Sequence, residues 1–226
     1  MIILIEQFGQ SDRPYFAKNF EEYSSLVLLK SPHPLSSSSK MKRLFDLILA
    51  SFFIAILSLP FLLICLSIIL TSKGSAIYWS NRIGKDNIIF MMPKFRTMYL
   101  NTPAVATNLL KNPVKYLTPV GSFLRKTSLD EIPQLWSILV GDMSFIGPRP
   151  ALFNQYDLIE LRTSKGVHHL TPGLTGWAQV NGRDSLSSAK KVKFDTEYLK
   201  KKSFFFDLKI LYLTFIKIIR REGIKH

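Results

Sequence analysis

From Leu44 to Leu70 the chain runs for 27 residues in which the only charge is Asp46. As continuous helix this stretch extends roughly 40 Å at about 1.5 Å per residue, enough to cross the hydrocarbon core of a bilayer. Two features work against a plain span. Pro60 falls in the middle, where its missing N–H and its ring kink a helix, and Ser58 lies close enough to satisfy a freed carbonyl. Basic residues also flank both ends: Lys40, Lys42 and Arg43 before, Lys73, Arg82 and Lys85 after. Lys and Arg favour the cytoplasmic side, so cations at both ends favour a segment that enters and leaves by one face. A re-entrant helix-break-helix is therefore expected over residues 41–72, in preference to a full span, with its break at Ser58 and Pro60.

The rest of the chain agrees with a membrane surface. A net charge of +14 coexists with a mean hydropathy of +0.14, whereas a disordered nucleic-acid tail would be charged and poor in apolar residues. Residues 1–40 are neutral and carry a Pro/Ser-rich linker from Ser31 to Ser39. Their early apolar run, Ile2 to Ile5, is too short for a signal peptide. From Lys190 onward eleven Lys and Arg face four acidic residues, so half the surplus lies at the C-terminal end. There the stretch from Ser203 to Arg221 is apolar around most of its circumference, with Lys209, Lys217, Arg220 and Arg221 set within it. An interfacial amphipathic helix fits it better than a span, an ordinary core helix being the alternative. The single cysteine, Cys65, excludes a disulfide framework or thiolate metal cage and reads as packing.

Between these segments the sequence reads as a small globular domain over residues 73–226. Ala76–Ser80 and Ile88–Met92 suggest a short β-hairpin, and helical patterns run from Asp130 to Val140, Ala151 to Ser164 and Leu186 to Lys201. The expected class is α+β, mainly helical. A Gly/Pro-rich loop from Thr171 to Arg183 precedes the last of these helices, and its Gly173, Gly176 and Gly182 allow close approach to a ligand or make tight turns.

Neither a Walker loop nor Gly-x-Gly-x-x-Gly occurs, so phosphate recognition must come from side chains and turn amides. The most suggestive stretch is Arg125-Lys-Thr-Ser-Leu-Asp-Glu-Ile-Pro-Gln-Leu-Trp136. With Asp130 as helix cap, Pro133 enters the first turn, where its missing N–H costs nothing. The pair Asp130 and Glu131 then sits at the positive helix end beside Arg125 and Lys126, which favours ionised carboxylates. An ionised Asp can attack phosphorus and a neighbouring Glu can hold a divalent metal; equally, the two acids can simply complement a helix start. In Gly141 to Pro150, Arg149 is fixed between two prolines, as suits bidentate phosphate binding or a plain turn. His168 and His169, adjacent and pointing apart in regular structure, lack a third ligand for zinc. The lysines at 190, 191, 193 and 200–202 form a solvated face that anionic lipid would attract.

Four blocks taken together resemble the bacterial sugar transferases, monotopic polyprenyl-phosphate hexose-1-phosphate (phosphoglycosyl) transferases. They are Lys42-Arg-Leu-Phe-Asp46 with its apolar continuation, Lys94-Phe-Arg-Thr-Met98, Ser128 to Leu135 with Gly141 to Pro150, and Thr171 to Arg183. The resemblance covers residues 41–226. It implies that Asp130 attacks the sugar-linked phosphate of a UDP-sugar, expels UMP and forms a phosphosugar-aspartyl intermediate. Undecaprenyl phosphate then takes the phosphosugar, which initiates exopolysaccharide, capsule, O-antigen or glycoprotein glycan assembly. Glu131 matches the acidic partner at an Mg2+ site that both carboxylates hold, and Lys94, Arg125, Arg149 and Arg183 match basic positions around the phosphates. The implied location is the bacterial inner membrane, with the catalytic domain facing the cytoplasm, in contact with lipid, with homo-oligomers or downstream glycosyltransferases as partners. The family's Ser-Pro break is altered here, because Leu59 separates Ser58 from Pro60. The family also commonly starts near Met41, so residues 1–40 read as an accessory extension or as the product of an upstream start site. The alternative is a catalytically silent membrane adaptor that recruits other assembly enzymes. A nucleic-acid binder is disfavoured, since the charge borders apolar helices instead of forming a basic tail.

Overall fold

The computed structural model describes residues 37–103, 110, 112–182 and 185–220, and the early apolar run and most of the Pro/Ser linker lie outside them. The described chain is mainly helical. Helix α1 spans Ser37–Thr71, so the last serines of the expected linker already belong to its first turn. A hairpin follows, β1 at Ile77–Ile83 and β2 at Ile89–Phe95, paired antiparallel from Ile77 opposite Phe95 to Ile83 opposite Ile89. Its turn is closed by Asp86 and Asn87, both left-handed at φ 54° and 60°, a conformation that short polar side chains tolerate. Then come α2 at Gly121–Thr127, a 3-10 turn at Leu129–Glu131 and α3 at Gln134–Val140. Strand β3 at Ser144–Ile146, helix α4 at Tyr156–Ser164 and strand β4 at Gly173–Thr175 follow. The chain continues through α5 at Trp177–Val180, α6 at Ser188–Lys201 and α7 at Phe204–Arg220.

Helix α1 is apolar and long enough to cross a membrane: an 18-residue window within Lys40–Thr71 has a mean hydropathy of 2.9. The helix carries through Pro60 as a single element. The Ser58 hydroxyl donates to the Ala55 carbonyl at 2.9 Å, one residue away from the Ile56 carbonyl that a residue-60 N–H would have served. One stripe of α1 packs on the globular body along its length. Phe45, Leu49, Ala50 and Leu57 join the main core around Met92, Ile138 and Ile146, while Phe61, Ile64, Cys65 and Ile68 join a second cluster with Phe95 and Leu124. The opposite stripe, including Phe52, Leu59, Leu62 and Leu66, is exposed.

Both ends of α1 are tied to that body. At the start, Lys42 Nζ donates to the Ile146 carbonyl at 2.8 Å, Tyr198 Oη at 3.0 Å and the Asp207 carboxylate at 2.8 Å. Arg43 donates to the carbonyls of Ile138 and Leu139 at the end of α3, and buried Asp46 accepts the Phe145 N–H at 3.1 Å. At the far end, buried Arg96 donates to the carbonyls of Ser72, Lys73, Gly74 and Ser75 as the chain leaves the helix. These carbonyls have no helical partner, and a guanidinium fork meets several of them at once.

A second, parallel pairing was not expected from sequence: β3 runs beside β4, Ser144 opposite Gly173 and Ile146 opposite Thr175. Its glycines serve backbone contact instead of a ligand. A Cβ at Gly173 would lie 2.1 Å from the Gly147 nitrogen, and one at Gly176 would lie 2.0 Å from the Gly147 oxygen. Helix α4 begins at Tyr156, later than the sequence pattern suggests, because Ala151 and Leu152 are drawn to the hairpin: Ile83 N donates to the Ala151 carbonyl at 2.9 Å.

The Asp46 contact gives a direct check. Asp46→Leu leaves the buried Phe145 N–H without its acceptor and should destabilise the fold by about 1–3 kcal/mol, seen as a lowered thermal midpoint in detergent.

Candidate active site

The site is assembled from three neighbouring pieces of chain. Helix α2 ends at Thr127, and Ser128 turns the chain with left-handed angles, φ 57° and ψ 16°, its N–H donating to the Arg125 carbonyl at 3.2 Å. The 3-10 turn that follows carries Asp130 and Glu131, and Pro133 is the residue that precedes α3. Asp130 is therefore not the cap of a long helix. The acids occupy a separate turn, and α3 is only seven residues long.

Two cations converge on one oxygen of that turn. Lys94, from β2, donates from Nζ to Glu131 Oε1 at 3.1 Å, and Arg149 donates from Nη2 to the same oxygen. Arg125 is held by its own contacts, Nε to the Thr97 hydroxyl at 2.9 Å and Nη2 to Met98 Sδ at 3.4 Å, with its charge close enough to act on Asp130. Among the described residues the Asp130 carboxylate itself takes no hydrogen bond or salt bridge. Glu131 is engaged while Asp130 stays open.

Electrostatics in the cluster differ from the sequence expectation. Burial raises the Asp130 carboxyl above the usual Asp range, with Glu131 adding to the rise, and Lys94, Arg149 and Arg125 pull it back. Burial likewise lowers Lys94, against the opposing pull of Glu131. These three cations favour the ionised form of Asp130 and burial opposes it; Lys126, expected to help, is exposed and takes no part.

Of the residues marked in the sequence, Lys94, Arg125, Asp130, Glu131 and Arg149 come together, and Arg183 lies outside the described residues. Ser58 and Pro60 sit within α1. Two cations that sequence reading passes over hold the Arg149 loop: Arg82 donates to the Pro150 carbonyl at 3.3 Å and Arg162 to the Arg149 carbonyl at 2.8 Å. Nothing local marks them, since the contacts span 68 and 13 residues. The histidines also differ from expectation: in a 3-10 turn at Val167–His169 their rings lie against each other, centroids 3.8 Å apart and planes tilted by 39°, and His169 Nδ1 meets Asp86 Oδ1 at 2.7 Å.

The donor chemistry fits Mg2+. Two adjacent carboxylates are hard oxygen donors, and this ion takes one or two protein carboxylates and completes its shell with phosphate oxygens and water. Among the described residues no cluster of three or more metal-ligating side chains occurs, so such an ion would depend on the substrate's phosphates for the remainder.

With this arrangement in view, comparison with known proteins is decisive. The family model for bacterial sugar transferases matches residues 37–221. The chain belongs to the bacterial sugar transferase family. As a member it is a transferase. It is 42% identical over 188 residues to the uncharacterized sugar transferase EpsL of Bacillus subtilis, covering 82% of this chain and 90% of that one. It is 39% identical over 200 residues to the exopolysaccharide production protein ExoY of Rhizobium meliloti, covering 80% and 87%. With the UDP-glucose:undecaprenyl-phosphate glucose-1-phosphate transferase of Escherichia coli it shares 40% identity over 195 residues, 81% of this chain but 41% of that longer protein.

Strain at Ser128 sets the direction in which this transferase presents its acids. Ser128→Gly should raise the thermal midpoint by relieving a left-handed residue, about 1 kcal/mol, and Ser128→Val should lower it.

Proposed function

We propose that the chain transfers a sugar 1-phosphate from a UDP-sugar to undecaprenyl phosphate, releasing UMP, and so initiates the assembly of a bacterial surface glycan. The observation that carries this reading is the open Asp130 carboxylate set among Lys94, Arg125 and Arg149 while Glu131 is already paired. Two anionic substrates and an anionic nucleophile can meet only where cations offset their repulsion. The names of the relatives from Escherichia coli and Salmonella typhimurium, which specify undecaprenyl phosphate, support the substrate class.

In the proposed reaction an Asp130 oxygen attacks the sugar-linked phosphorus. The bond from that phosphorus to the UMP oxygen breaks, and UMP leaves with the electron pair. A phosphate oxygen of undecaprenyl phosphate then attacks the same phosphorus, the bond to Asp130 breaks, and the carboxylate is restored. Lys94 and Arg149 steady Glu131 and present their charge to the phosphates, and Lys94, Arg149 and Arg125 favour the ionised form of Asp130 against its burial. Mg2+, held by Asp130 and Glu131, would supply further positive charge to screen the phosphates. Arg183 is proposed as an additional phosphate ligand.

The membrane reading follows from α1 and α7. Both ends of α1 are bonded to one globular body, which supports a segment that enters and leaves by the same face. On α7 the outward residues Phe205, Tyr212, Phe215 and Ile218 are apolar, while Asp207 and Ile210 are buried, which supports a helix lying in the interface. Cations at both ends of α1 favour the cytoplasmic face of the inner membrane.

Two measurements test this. Turnover of UDP-sugars beyond a single stoichiometric release of UMP should require undecaprenyl phosphate and Mg2+, and Asp130→Asn should lower it by about 10³-fold or more; retained activity in that variant would overturn the mechanism. For topology, Lys40→Cys and Ser75→Cys in a Cys65→Ser background should both resist an impermeant thiol reagent applied to intact cells. Labelling at either position would mean a full span.

A further inference from the structure

The loop that carries Arg149 has an unusual requirement. Pro148 and Pro150 have no N–H, so the backbone on either side of the arginine can be anchored only through carbonyls. All three successive carbonyls are taken. Pro148 accepts the Gly173 N–H at 2.9 Å, Arg149 accepts from Arg162 Nη1 at 2.8 Å, and Pro150 accepts from Arg82 Nη1 at 3.3 Å. The middle contact is the one nearest the functional side chain.

Arg162 is itself held from behind. Its Nε and Nη2 donate to one oxygen of Asp195, at 3.0 and 2.7 Å, and both residues are buried. Arg162 comes from α4 and Asp195 from α6, so the pair crosses from one helix to another before reaching the loop. A buried ion pair of this kind is weak evidence for stability, since apolar side chains of the same volume often serve as well. What an apolar pair could not supply is a rigid N–H aimed at the Arg149 carbonyl. The guanidinium fork supplies it, because fixing Nε and Nη2 on a carboxylate fixes the direction of Nη1.

We propose that Arg162 and Asp195 form a positioning relay for Arg149: Asp195 orients Arg162, and Arg162 holds the Arg149 backbone so that its side chain meets Glu131 and the substrate's phosphate. Neither touches substrate. The inference rests on the transferase reading above and adds to it two residues that act through a third. Asp195 and Tyr198 lie three residues apart on α6, and Tyr198 Oη donates to Asp207 at 2.7 Å beside Lys42. One helix therefore braces both the Arg149 loop and the anchored start of α1.

The test is a double-variant cycle on the full-length purified protein, reading steady-state UMP release and the thermal midpoint together. Arg162→Lys keeps the charge and removes the fork; it should lower kcat/KM for the UDP-sugar by on the order of 10- to 100-fold, with KM for undecaprenyl phosphate unchanged. In an Arg149→Ala background the same substitution should lower activity less than about twofold further, because there is no longer a side chain to aim, while its effect on the midpoint should be the same in both backgrounds. Asp195→Asn, which keeps shape and an acceptor oxygen, should repeat this pattern more mildly and serves if Arg162→Lys does not fold. Losses that multiply in the double variants, or that follow the midpoint alone, overturn the relay while leaving the transferase reading intact. Wild-type protein that releases no UMP from any UDP-sugar overturns the transferase reading, and the relay with it.

Discussion

One oxygen of Glu131 receives Lys94 from the hairpin and Arg149 from the proline-flanked loop, and the geometry around it depends on that shared acceptor. Three stretches of chain distant in sequence meet there. The cations would repel one another without the carboxylate, and the carboxylate would be costly to bury without the cations. Because Glu131 absorbs this pairing, its neighbour Asp130 is left open while still lying in the field of the same cations. Adjacent residues of one chemical type thus reach different states, one paired with two cations and one without a hydrogen bond among the described residues.

The same economy of buried charge anchors the apolar helix. Arg43 at its start and Arg96 at its end donate to backbone carbonyls, and Lys42 divides its donors among the Ile146 carbonyl, Tyr198 Oη and the Asp207 carboxylate. Helix α1 therefore does not stand apart from the catalytic body; it lies along it, one stripe packed and the other exposed. Arg96 stands two residues from Lys94 on the same chain segment.

The residue types around them mark the two acids, Arg125 and Arg149 in the sequence, whereas Lys94 is marked only by the family resemblance. Sequence also locates the hairpin and the four main helical stretches, displaced by a few residues. The displacements have structural causes: Ala151 is captured by the hairpin, so α4 starts late, and the left-handed Ser128 ends α2 and leads into a separate 3-10 turn that carries Asp130 ahead of α3. The β3–β4 pairing escapes notice because three-residue strands carry no periodicity. Arg82, Arg162 and Asp195 escape for a different reason, since their partners are brought in by tertiary packing. The burial that opposes ionisation of Asp130 is not visible in the sequence, whereas its proximity to Arg125 is.

The central claim is that Asp130 forms a bond to phosphorus before the lipid acceptor arrives. Intact-protein and peptide mass spectrometry after incubation with UDP-sugar and Mg2+, with undecaprenyl phosphate omitted, tests it most directly. The account predicts a phosphosugar adduct on the peptide containing Asp130, matched by a single stoichiometric release of UMP and lost on addition of the acceptor. UMP released only when both substrates are present, with no adduct on that peptide under rapid quench, would contradict it.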